Sequence, residues 1–200
     1  MAISRFSNST IANGFPKYTE LWDQITEEFY PSYESIATLI ASGSSQELTF
    51  SNIPQTYKHL EIRGIGQASY SSNDYGVIGV RFNGDSGSNY TRHALNGSGG
   101  GGSATSYGIV PSTYADCGNG AYLNTTNTVG ASIITILDYT NTSKNKVAQG
   151  FSGTDNSGIG ALNIASGVWS STAAITSVTV YQQNANLTNK STYALYGIKG

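Results

Sequence analysis

From residue 33 onward, apolar and polar positions alternate in short runs separated by clusters of Gly, Ser, Asn and Asp, the pattern of β-strands joined by turns. About eight strands are expected, drawn from candidates at 34–41, 46–50, 59–65, 76–82, 90–95, 131–139, 147–151, 175–181 and 192–198. In His59-Leu60-Glu61-Ile62-Arg63 the apolar Leu60 and Ile62 share one face of the pleat, so they point to a core while the other three face water. Ala131-Ser132-Ile133-Ile134-Thr135-Ile136-Leu137 is apolar on both faces, as expected of a central strand covered by loops or by a partner. The run Gly97-Ser98-Gly99-Gly100-Gly101-Gly102 has almost no side chain to bury and is expected to be a loop. The fold class that follows is all-β: one antiparallel, jelly-roll-like β-sandwich over residues 33–200.

The pattern is different before residue 33. Residues 15–42 contain no glycine, and Tyr18, Leu21, Trp22, Ile25 and Phe29 recur at helical spacing, with Glu20, Asp23, Glu27 and Glu28 mostly elsewhere. Pro31 stops that helix. Residues 1–32 therefore read as an N-terminal arm whose apolar stripe packs either on its own β body or on a neighbouring subunit.

Composition narrows the class. Ser, Thr, Asn and Gly make up about 45% of the chain, while charged residues supply 11%; helical enzymes usually carry about twice that charge. The ten Lys and Arg are scattered, and the net charge is −2, so no basic stripe could follow a phosphate backbone and nucleic acid is not an expected partner. No apolar run approaches the roughly 20 residues that span a bilayer, nor does the start read as a secretion signal. The expectation is a soluble chain made in the cytoplasm, with no membrane insertion. A single cysteine, Cys117, excludes an internal disulfide framework and a thiolate metal site.

Candidate chemistry is sparse. His59 and His93 lack carboxylates at metal-ligand spacing, and Cys117 has no nearby histidine in sequence, so each reads as structural. Asn83-Gly84-Asp85-Ser86-Gly87-Ser88-Asn89 has oxygens at alternate positions as calcium loops do. It lacks the closing bidentate Glu, however, and reads as turn chemistry. Neither a nucleophile elbow nor paired carboxylates suited to glycoside hydrolysis are visible, so no enzyme, metal or cofactor is expected. Tyr70, Tyr75, Tyr107, Tyr114 and Tyr122 fall in expected loops or loop edges, where exposed rings beside Asn, Asp and Ser could stack on sugars. The same rings could instead close loops over the core or pack between subunits.

Four segments carry a resemblance: Asn52-Ile53-Pro54-Gln55-Thr56-Tyr57-Lys58-His59-Leu60-Glu61-Ile62-Arg63-Gly64, Arg81-Phe82-Asn83-Gly84-Asp85, Ile136-Leu137-Asp138-Tyr139, and Tyr193-Ala194-Leu195-Tyr196-Gly197-Ile198. Together they resemble a family of small virion structural proteins of tailed bacteriophages, common among marine and cyanobacterial phages, over roughly residues 33–200. The resemblance implies a virion component with no catalytic residues to carry over. Read this way, the chain is a capsid decoration or a tail or appendage subunit held to other virion proteins by its arm. The other reading is a receptor-binding tail-fibre module that grips host surface glycan. Apolar positions on both faces of 131–137 also predict a homo-oligomer, most plausibly a trimer.

Overall fold

The computed structural model describes residues 32–69, 76–99, 102–122, 127–156 and 159–200, with backbone alone at 119–122, 156 and 159. Among these residues the chain forms twelve strands: β1 (Tyr33–Ile40), β2 (Glu47–Phe50), β3 (His59–Ala68), β4 (Gly76–Phe82), β5 (Tyr90–Ser98), β6 (Ala104–Ser112), β7 (Ala115–Tyr122), β8 (Gly130–Leu137), β9 (Lys146–Asn156), β10 (Ile159–Trp169), β11 (Val178–Gln182) and β12 (Thr192–Ile198). The helix expected within 18–29, with Tyr18, Leu21, Trp22, Ile25 and Phe29, lies outside the described residues.

Eight strands pair antiparallel in the order β1-β12-β3-β8-β9-β10-β5-β6. Four more pair antiparallel as β2-β11-β4-β7. The two sets join where the end of β3 runs parallel to β7 at Gln67↔Ala121 and Ala68↔Tyr122. The smaller set folds back over the larger, and β7 comes close enough that a Cβ added to Gly150 of β9 would stand 1.8 Å from the Cys117 carbonyl oxygen. Only glycine allows that approach.

Between the layers Leu60, Ile62, Ile134, Ile136 and Leu195 of the large sheet meet Ile78, Val80, Phe82, Val178 and Val180 of the small one, all of them buried. Removing each such side chain from water is worth roughly 1.5–3 kcal/mol, which makes this the main source of stability. Phe82, Tyr90 and Trp169 close one end, with Phe82 and Trp169 ring centroids 5.6 Å apart.

Of the expected strands, 76–82 and 192–198 are found with those ends, and the others differ from observed strands by a few residues at one or both ends. Strands β6, β7 and β10 were not foreseen. The segment Ala115-Asp116-Cys117-Gly118-Asn119-Gly120 has no apolar alternation to announce it, because it is small residues lying between two backbones. Of the expected loop over 97–102, Gly97 and Ser98 belong to β5, Gly99 and Gly102 lie outside the strands, and residues 100 and 101 are outside the described residues.

Candidate functional site: the outer face of the large sheet

Strand register lines side chains of neighbouring strands into rows across the sheet. On the face turned away from the small sheet, one row runs Arg63–Ile133–Phe151–Ile164–Leu95–Ser106 across β3, β8, β9, β10, β5 and β6. Its four central members are large, apolar and exposed, with Phe151 at 50% and Ile164 at 56%. The next row along the strands places Ile40, Ile65, Ala131 and Leu162 beside it. On the opposite flank the row is polar: Glu61, Thr135, Gln149, Ser166 and His93. The result is an apolar band two rows deep with a polar border on one side.

This band follows from the alternation of β8, β9 and β10. In β8 the buried members are Ser132, Ile134 and Ile136, while Ile133 and Leu137 face out. Strand β10 is patterned inside out: Ala161, Asn163 and Ala165 are buried, and the larger Leu162 and Ile164 are exposed. A free outer face would cost less with polar side chains at those positions, since contiguous apolar patches of this kind mark association surfaces. Phe151 and Ile133 form a ridge between two shallow hollows, of about 620 and 700 Å³. At one end of the row the Arg63 guanidinium sits over the rings of Tyr33 and Tyr196, 5.2 and 5.8 Å from their centroids, and its Nε donates to Glu61 at 2.7 Å. Burial and the neighbouring Glu61 push the Tyr33 hydroxyl up to about 12.

A second feature is an open groove of about 390 Å³, lined by Val77, Arg92, Asn96, Thr105, Tyr107, Ile109 and Gln183. Tyr107 donates to the Asp116 carboxylate at 2.5 Å. Burial raises the Asp116 pKa, opposed by that hydrogen bond, by the Gly118 amide and by the charge of Arg92. The Arg92 guanidinium lies 4.5 Å from the centroid of the Tyr114 ring, whose hydroxyl donates to Gln183 at 3.0 Å.

Of the tyrosines singled out for sugar binding, Tyr107 lies on β6 and lines this groove, and Tyr114 touches its Arg92 and Gln183 from beneath. Tyr114 is buried, tilted against Tyr181 at 5.3 Å between centroids, and is no exposed platform for a sugar. Tyr122 ends β7, described in backbone only, while Tyr70 and Tyr75 lie outside the described residues. The 83–89 segment behaves as a turn: Asn83 and Gly84 hold positive φ of 53° and 71°. The Asp85 carboxylate is taken up by Trp169, Asn89 and the Gly87 amide. His59 Nδ1 accepts the Asp138 amide at 3.0 Å, and Cys117 is buried, its thiol pKa raised by burial.

The resembling segments meet at one end of the sandwich. Tyr139 donates to the Pro54 carbonyl, Gln55 to the carbonyls of Ile53 and Ile175, and Tyr57 to Glu34 at 2.5 Å. A Cβ on Gly197 would stand 2.3 Å from the Tyr57 ring. Those motifs are joinery between strands and loops. No family model, curated protein or solved structure matches the chain.

Proposed function

We propose that this chain is a structural subunit of a tailed-phage virion, a capsid decoration or a tail or appendage protein attached through residues 1–32. The observation that carries this reading is the exposed apolar band across β3, β8, β9, β10 and β5, a surface that pays off only when another protein covers it. The resemblance of the 52–64 and 193–198 segments to phage structural proteins supports the choice of particle. Successive strands often switch between the two layers, β1 to β4 alternating strictly, and on that ground we read the sandwich as jelly-roll-like. In the arm, Tyr18, Leu21, Trp22, Ile25 and Phe29 form the stripe that docks on another virion protein.

The test is Trp22→Ala combined with Phe29→Ala in the full chain. The expected result is an unchanged melting temperature of the isolated protein and loss of incorporation into particles. A melting temperature many degrees lower would place the stripe in the protein's own core, and normal incorporation would put the attachment elsewhere.

The second reading, a tail-fibre module for host surface glycan, draws support from the groove beside Arg92, Asn96, Thr105, Tyr107 and Gln183, where amide and hydroxyl groups stand beside an aromatic ring. Retention on immobilised host polysaccharide that is lost in Tyr107→Ala would support it, and no retention of the full chain would dismiss it.

A further inference from the structure

Resting on the reading of the outer face as an association surface, we infer that its occupant is another copy of this chain, packed sheet face to sheet face. A broad, twisted sheet is best covered by a sheet of the same twist, since two such sheets stack about 10 Å apart with strands within about 30° of parallel. A loop or a single helix covers only a stripe. A second copy supplies that sheet in full.

The relief of the face is self-complementary. The Phe151–Ile133 ridge stands between one hollow bordered by Thr135, Gln149 and Ser166 and another bordered by Ile65, Leu162 and Gly153. The ridge of one copy fits a hollow of the next, and the absence of a Cβ at Gly153 deepens the second hollow. In size the match also holds. Eight strands about 4.8 Å apart and about seven residues long give a face of roughly 800 Å², the area that a stable interface needs from each partner. The apolar rows then form the dry centre, and Thr135, Gln149, Ser166 and Thr192 form the polar rim.

The experiment is sedimentation velocity of the full chain at micromolar concentration, alongside the double variant Phe151→Lys with Ile164→Lys. Wild type is expected as a dimer, since one face packed on its own copy closes with two-fold symmetry, and the variant as a monomer whose association is at least roughly a hundredfold weaker, because both changes fall at the centre of the contact. Should the variant fail to fold, Ile133→Cys replaces it: a short bis-maleimide should link copies through residue 133, whereas an Ala173→Cys control should stay unlinked.

A wild-type monomer, or a variant that assembles as well as wild type, overturns the inference, as does equal linking at both cysteines. Failure of the broader reading looks different. If the wild type is monomeric and the lysine variant is not incorporated into particles, the face serves a different virion protein and only the self-association falls. If the wild type is monomeric and the lysine variant is incorporated normally, the face makes no contact with protein and both fall.

Discussion

At the scale of single residues, two charged groups are set to work in different ways. Lys146 is a buried lysine whose ammonium donates to the carbonyls of Asn141, Lys144 and Thr172, tying the β8–β9 connection to the loop after β10. Burial lowers its pKa, and the three carbonyls compensate for the lost water. Lys146→Met keeps the bulk and strands those acceptors, so a loss of about 2–4 kcal/mol in chemical denaturation is expected. A loss well under 1 kcal/mol would mean that water replaces the ammonium without cost. Asp138 is the opposite case, a surface carboxylate beside Lys144 and Lys58, the latter 3.1 Å away. Those two partners lower its pKa to about 2, below the ordinary value, so the fold favours its ionised form. The stabilisation is full above about pH 4 and lost as pH falls toward 2. Wild type minus Asp138→Asn should therefore show a stability difference at pH 5 that shrinks as pH falls below about 4 and through about 2, and that weakens with salt. A difference independent of pH would point to the positive φ of Asp138 as the cause.

Among the elements, what was legible and what was not divide on a physical line. Strands β3, β4, β8 and β12 announce themselves because large apolar residues recur at every second position between turn residues. The segments β6 and β7 do not: β6 is a mostly exposed edge strand, and the small residues of β7 permit close backbone approach and carry no hydrophobic period. Strand β10 does alternate, in Leu162 and Ile164, but periodicity cannot say which face is inside, and here the small residues are. The apolar band was visible only in β8, through Ile133. Its other members come together by register, which no local pattern specifies. Gly150 makes the same point as an experiment: Gly150→Ala drives a methyl into the Cys117 carbonyl of the facing layer and should cost several kcal/mol. Gly97→Ala, where the nearest neighbour is 3.9 Å away, should shift stability by about 0.5 kcal/mol or less. Equal effects of the two would mean that the layers are farther apart than described.

For the whole molecule, the β body carries its own core between two layers, and the apolar residues of 33–200 pair with one another in register. A chain beginning at Tyr33 is accordingly expected to be soluble and to melt cooperatively, as read by circular dichroism. Insolubility or a broad non-cooperative melt would show that residues 1–32 complete the core. The strongest sequence motifs, in 52–64 and 193–198, turned out to hold one end of the sandwich together through Pro54, Gln55, Tyr57 and Gly197. For that reason they report architecture more than a site. The surface most suited to function is instead a row of ordinary aliphatic side chains and one phenylalanine, which only the assembled sheet reveals. Electron cryomicroscopy of an intact particle that contains this chain tests that assignment most directly. The expected density has Ile133, Phe151, Ile164 and Leu95 buried against protein, whereas that row facing open solvent at full occupancy would contradict it.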